Sequence, residues 1–239
     1  MNPDSGAWIP DQVRDDRLRF KSTHEPTSIC LTHYPHRLLP RCAHSRLFER
    51  LLSWGVRTIQ LRIKAADHTP ANIAIEVLAA IEAGNAVPGA QVFINDHWQL
   101  ALAGGAYGVH LGQEDLDTAD IEALRNAGIR LGLSTHTPAE LARAKAVRPS
   151  YLAIGPIYPT TLKVMPYAPV GLVQLADWAK QASPYPVVAI GGISLERMPG
   201  VLACGVDGVA VVSAVTLAAD PQKAALAGLK IAQNAKAVT

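Results

Sequence analysis

From Ser28 onward, short apolar or β-branched runs alternate with longer segments whose apolar positions return every three or four residues. That is the pattern of repeated βα units around a parallel sheet. The runs predict eight strands, at Ile29–Thr32, Thr58–Ile63, Gln91–Asn95, Gly108–Leu111, Arg130–Ser134, Tyr151–Ile154, Val187–Ile190 and Gly208–Val212. Helices are predicted between them, including Ser45–Trp54, Ala71–Ala83, Ile121–Ala127, Ala139–Val147, Leu172–Gln181 and Pro221–Ala232. Thr69-Pro70 and Asp220-Pro221 each place a capping oxygen before a proline at the first helical position, and Thr137-Pro138-Ala139-Glu140 reads as a capping box. Gly55, Gly84, Gly128 and Gly205 stand where helices should stop. Eight similar units with no longer crossover favour a closed (β/α)8 TIM barrel of the α/β class, in one domain over residues 28–239, with a doubly wound open sheet as the rival.

The second predicted strand sharpens the picture. Its alternation puts Gln60, Arg62 and Lys64 on one face and Ile59, Leu61 and Ile63 on the other. In a sheet clad by helices neither face meets bulk water, so an inward Gln-Arg-Lys row requires an anion; an edge strand with a wet polar face is the bland alternative. The carboxyl ends of the neighbouring strands are also polar, with Asn95-Asp96, Gly112-Gln113-Glu114-Asp115 and Ser134-Thr135-His136. Ligand sites of such barrels form on that rim.

Composition narrows the chemistry. The chain has 239 residues, 49% of them hydrophobic, which suffices for a sizeable core. With 22 Lys+Arg against 20 Asp+Glu there is no broad cationic footprint for nucleic acid or an anionic membrane surface, so small-molecule substrates are the expected partners, and assembly as a homo-oligomer is open. No apolar run is long enough for a membrane span, and the three cysteines, Cys30, Cys42 and Cys204, lack metal-ligand spacing; both point to a cytoplasmic protein. Residues 1–27 are charged and proline-punctuated and read as an N-terminal extension. His33 and His36 carry no assignment. Trp54, Trp98 and Trp178 are expected to pack helices on the barrel.

Asp96 and Asp115 leave adjacent strands at one rim, where their carboxylates can share a hard cation; Mg²⁺ fits best, with ligand phosphates completing its shell. Capping of the following helices is the alternative for both. Gly191-Gly192 lets backbone amides approach an anion, or merely permits a tight turn, and Val212-Ser213 repeats the arrangement after the eighth strand. The segment Gly155 to Lys163 is too long and polar for a minimal connection, with Thr160 and Thr161 as hydroxyl donors and Lys163 as a point charge. His136 stands at the rim as a general acid or as a backbone-bonding residue.

Gln60-Leu61-Arg62-Ile63-Lys64, Ile94-Asn95-Asp96, Gly108 to Asp115, Ser134-Thr135-His136, Gly155 to Lys163 and Ala189-Ile190-Gly191-Gly192-Ile193 resemble the thiamine phosphate synthase family in order and spacing over roughly residues 28–232. The resemblance implies a Mg²⁺-dependent transferase that joins a hydroxymethylpyrimidine diphosphate to a thiazole phosphate with release of pyrophosphate. It implies that Gln60, Leu61, Arg62, Ile63, Lys64 and Asn95 hold the pyrimidine diphosphate and that Asp96 and Asp115 bind the metal. Ser134 and Lys163 would contact the pyrimidine and pyrophosphate side, with Arg62 and Lys64 also acting on the leaving group. Thr160, Thr161, Leu162, Gly192, Val212 and Ser213 would form the thiazole phosphate pocket. Leu162 stands where the family usually has a hydroxyl residue. A related thiazole tautomerase would instead use a histidine such as His136 and need no metal carboxylates, and a non-catalytic phosphate-ligand barrel would keep only the pocket.

Overall fold

The computed structural model describes residues 29–30, 43–63, 68–160 and 167–236. The N-terminal extension, His33, His36, Cys42 and the assigned residues Lys64, Thr161, Leu162 and Lys163 lie outside them. The described strands are β1 (Ile29–Cys30), β2 (Thr58–Leu61), β3 (Gln91–Asn95), β4 (Gly108–Leu111), β5 (Arg130–Thr135), β6 (Tyr151–Ile154), β7 (Val187–Ile190) and β8 (Gly208–Ala210). All ladders are parallel, in the order β1-β8-β7-β6-β5-β4-β3-β2, and β1 also lies beside β2, so the sheet curls round on itself. Every predicted strand is present. Arg62 and Ile63 fall just beyond the β2 ladder rather than within it, and β8 stops before Val211.

The helices are α1 (Ala43–Ser53), α2 (Pro70–Asn85), α3 (Trp98–Gly104), α4 (Ile121–Asn126), α5 (Pro138–Ala146), α6 (Gly171–Ala182), α7 (Met198–Leu202), the single turn α8 (Ser213–Thr216) and α9 (Pro221–Lys236). Their starts follow from local chemistry. Thr69 accepts the amide of Asn72 at 3.2 Å with Pro70 next, and Thr137 accepts that of Glu140 at 3.2 Å with Pro138 next. Asp220 accepts the amide of Lys223 at 2.9 Å ahead of Pro221. A side-chain oxygen satisfies one orphan amide of the first turn, and the proline has no amide to satisfy.

Gly84 does not end a helix. It lies inside α2, buried, where an added Cβ would stand 2.6 Å from Val92 Cγ2; this glycine lets the helix approach β3 closely. The α2 cap is Ala86.

Two apolar regions divide the interior. The larger lies between sheet and helices and takes Ile59, Leu61, Ile63, Val92, Ile94, Val109, Leu111, Leu131, Leu133, Leu152 and Ile154 from the outward rows of the strands. Trp54, Trp98 and Trp178 pack into it, as expected, although Trp54 sits in the turn after α1. The smaller fills the barrel with Phe93, Tyr151, Ala153, Val188 and Ala210. Space for its two large rings comes from glycines on neighbouring strands: a Cβ on Gly108 would lie 2.3 Å from the Phe93 ring, and one on Gly132 2.3 Å from the ring of Tyr151. The rings meet edge to face at 5.1 Å. This aromatic floor closes the lower barrel and leaves the upper part for polar side chains.

Candidate active site at the barrel mouth

Above the floor the barrel opens into a cavity of about 500 Å³. Gln60, Arg62, Asn95, Asp96, Asp115, Ser134, Thr160, Gly192, Val212 and Ser213 all line it, and so does His136. The pleat explains how β2 contributes: Gln60 and Arg62 face the cavity while Leu61 and Ile63 are turned away. This corrects the expectation for those two side chains, which are 2% and 3% exposed among the helix-facing core residues. The carbonyl of Ile63 is taken by His97 Nε2 at 3.2 Å; because a carbonyl only accepts, that nitrogen carries the proton.

Asp96 sits at the end of β3 in the left-handed region, φ 63°, an uncommon conformation for a residue with a Cβ. Its amide donates to the His110 carbonyl at 3.0 Å. It is not a helix cap: α3 is preceded by His97 and has no side-chain cap bond. Burial, then the neighbouring charge of Asp115, pushes the Asp96 carboxyl up from 3.8 to about 6, against the opposing pull of Arg62. Asp115 Oδ2 accepts the amide of Gly112 at 2.9 Å, whereas α4 is capped by Asp120, which accepts from Ala123 at 2.8 Å. Two carboxylates are therefore held against each other in a half-dry site, an arrangement that a divalent cation relieves. Among the described residues no group of three or more His, Cys, Asp or Glu side chains is arranged to hold a metal, so the pair fits a hard ion that takes its other oxygens from ligand and water.

Beside the carboxylates lies a chain of hydrogen bonds. His110, on the inward face of β4 and 5% exposed, contacts Tyr151 Oη through Nδ1 at 2.7 Å and Ser134 Oγ through Nε2 at 2.8 Å. Burial, then the positive charge of Arg62, holds its imidazole down at about 3, so the ring is neutral. Gln113 Nε2 donates to the carbonyl of Ser134 at 2.7 Å. His110, Tyr151 and Tyr167 carry no assignment from sequence. Alternation along Gly108-Val109-His110-Leu111 already places His110 on the inward face with Gly108, which is the signal that could have found it.

Gly191 and Gly192 both have positive φ, 100° and 65°, and both are hemmed in by the segment after β6. A Cβ on Gly191 would lie 2.7 Å from Pro156 Cα, and one on Gly192 2.5 Å from the Pro159 carbonyl. The glycine pair therefore serves a turn and a close packing of two loops at the same place. Arg197 secures it, donating to the Gly192 carbonyl at 2.7 Å with its guanidinium 4.3 Å above the Tyr158 ring.

Just beyond β5 the expected capping box is half formed. Glu140 gives its amide to Thr137, but its Oε2 accepts from the His136 amide at 2.7 Å and contacts His136 Nδ1 at 2.8 Å. Its Oε1 accepts from Tyr167 Oη at 3.0 Å, and the His136 and Tyr167 rings stack at 4.7 Å and 6°.

The cavity thus gathers three acidic residues, Asp96, Glu114 and Asp115, with a guanidinium, amides and hydroxyls at the carboxyl ends of the strands, a set able to receive a phosphorylated ligand with a divalent cation. The family model described as thiamine monophosphate synthase matches residues 37–215. This chain belongs to that family. The matched span includes every residue that lines the cavity. Thiamine-phosphate synthase of Yersinia pseudotuberculosis is 59% identical over 176 residues, covering 74% of this chain and 80% of that protein. The enzyme of the same name from Klebsiella pneumoniae is 58% identical over 172 residues, 72% of this chain and 80% of its own. Among solved structures, thiamine phosphate pyrophosphorylase from Pyrococcus furiosus superposes with a TM-score of 0.73 at 30% identity, covering 92% of this chain and 98% of that one. Salmonella typhimurium 3-hexulose-6-phosphate synthase, at 18% identity and a TM-score of 0.66, shares the fold alone.

Proposed function

We propose that the mouth cavity joins a hydroxymethylpyrimidine diphosphate to a thiazole phosphate, forming thiamine phosphate and pyrophosphate, with Mg²⁺ held by Asp96 and Asp115. The observation that carries this reading is that Arg62, Asp96 and Asp115, which act on one another electrostatically, line one cavity together with Gln60, Asn95 and Ser134. Departure of pyrophosphate from a benzyl-like carbon needs stabilisation of the leaving group more than it needs a base. Arg62 supplies a fixed cation to the diphosphate, with Lys64 and Lys163 as further cations. Bound Mg²⁺ supplies Lewis-acid neutralisation of the same oxygens. Gln60, Asn95 and Ser134 orient the pyrimidine. Thr160, Thr161 and the Gly192 and Ser213 backbone receive the thiazole phosphate, and the thiazole nitrogen then attacks the electron-poor carbon.

Support for the metal comes from the carboxylate pair, which a barrel that only moves protons has no use for. His136 is already engaged by Glu140 and stacked on Tyr167, which disfavours its use as a free proton shuttle. No helix among the described residues is long and apolar enough to cross a membrane, and we place the reaction in the cytoplasm.

The test supplies both phosphorylated rings with and without Mg²⁺ and follows thiamine phosphate by chromatography. Product and pyrophosphate are expected in equal amounts and only with the metal. Tight binding of both ligands without product would assign the cavity to a regulatory barrel, and product at full rate in a chelator would remove the metal from the scheme.

A further inference from the structure

We propose that Tyr151 and His110 are positioning residues that set the direction of the Ser134 hydroxyl, turning its hydrogen toward an acceptor on the bound ligand. This rests on the reading of Ser134 as a ligand contact and adds to it the polarity of that contact.

A neutral imidazole donates from one nitrogen and accepts at the other, so the two bonds of His110 must have opposite sense. The choice between the two senses follows from acidity. A phenol, with a pKa near 10, is a far better donor than a neutral imidazole N–H, and an sp² ring nitrogen is a better acceptor than a phenolic oxygen. Tyr151 therefore donates to Nδ1 across 2.7 Å, the proton of the ring sits on Nε2, and Nε2–H donates to Ser134 Oγ across 2.8 Å. With that lone pair engaged, the Ser134 O–H is left to donate into the cavity that Ser134 lines.

The backbone is held as firmly as the hydroxyl. Gln113 Nε2 donates to the Ser134 carbonyl at 2.7 Å, which also fixes the orientation of its amide, since a carbonyl cannot donate. Further back, the Tyr151 ring is seated against Phe93 and fills the space left by Gly132. The direction of one hydroxyl at the mouth is thereby referred to the packed floor of the barrel. The acceptor it meets is a pyrimidine ring nitrogen or a phosphate oxygen, both of which lack a hydrogen of their own.

Two measurements test the relay separately from the reaction. In the ligand-free wild type, ¹⁵N-edited NMR of the His110 side chain is expected to show Nδ1 as the bare nitrogen and Nε2 as the protonated one. The opposite tautomer would overturn the proposal whether or not the protein turns over substrate. The second measurement is a double-mutant cycle on turnover with Tyr151→Phe and Ser134→Ala, with melting curves confirming that each variant is folded. Tyr151→Phe keeps the ring and is expected to lower kcat about three- to tenfold, as befits one hydrogen bond. In the Ser134→Ala background the same change should alter kcat less than about twofold. Equal losses in both backgrounds would mean that Tyr151 acts only through stability or general packing, and the relay would be wrong. Calorimetric titration of pyrophosphate alone and of hydroxymethylpyrimidine alone into wild type and Tyr151→Phe then identifies the acceptor by which ligand is weakened; no change in either would count against the assigned direction.

Discussion

Asp96 shows in one residue how a site is prepared at the expense of stability. Its carboxyl is pushed from 3.8 to about 6 chiefly by burial and secondly by Asp115, and its backbone is held at φ 63°. A carboxyl whose folded pKa is raised binds its proton better in the folded state, so the stability cost is absent below the unfolded pKa and complete above the folded one. The metal-free protein should therefore lose stability as pH rises from about 4 to about 6, by about 1 kcal/mol, because solvent reaches the exposed Asp96 side chain and screens its charge. Asp96→Asn removes the charge and keeps the shape, and asparagine tolerates left-handed backbone well. Chelator-treated Asp96→Asn should therefore melt higher than wild type at pH 7 while the difference shrinks toward pH 4, and its Mg²⁺-dependent turnover should be lost. Thermal melts across that pH range check the first part and the chromatographic assay the second. Equal melting temperatures at pH 7 would mean that neither burial nor the neighbouring Asp115 makes the Asp96 charge costly in the folded protein.

At the level of elements, most of the scaffold was readable because a pleated strand has a period of two and a capped helix has a chemical start. The outward Ile59-Leu61-Ile63 row and the inward Gln60-Arg62 row are where alternation puts them, and the oxygens before Pro70, Pro138 and Pro221 cap as read. What was not readable depends on partners distant in the chain. Gly84 looks like a helix stop and is instead a clearance for Val92, and Glu140 looks like the return arm of a capping box and instead reaches His136 and Tyr167. Glu140 thus ties the entrance of α5 to Tyr167, just past the polar segment that follows β6. Glu140→Ala strips the acceptor from the His136 amide and from both rings at once, and should destabilise the protein by about 1–2 kcal/mol. Tyr167→Phe keeps the stack on His136 and loses only an exposed hydroxyl bond, so its melting temperature should stay near that of wild type. Comparing the two melting curves checks this; equal destabilisation would place the strength of the tie in the Tyr167 hydroxyl rather than in the helix entrance.

Across the whole molecule, the barrel is a stack in which each level fixes the one above. Gly132 leaves room for Tyr151, Tyr151 meets His110, His110 meets Ser134, and Ser134 faces the ligand space. The sequence shows each of these residues on its strand but not their meeting, because the register in which β4, β5 and β6 pair is set by contacts distant in the chain. Outside the barrel, Gly84 plays the same steric part between α2 and Val92 of β3, whose side chain belongs to the helix-facing core and not to the cavity. The two glycines therefore form a matched pair for separating fold from function. An added methyl at either one must displace a packed neighbour, so Gly84→Ala and Gly132→Ala should each lower stability by about 1–3 kcal/mol. Measured at a temperature where both are folded, Gly84→Ala should keep near wild-type kcat, whereas Gly132→Ala should lose several-fold because Tyr151 can no longer reach His110 in the same geometry. If the two variants lost turnover equally at equal loss of stability, the mouth would be responding to the general firmness of the barrel rather than to this one column of side chains.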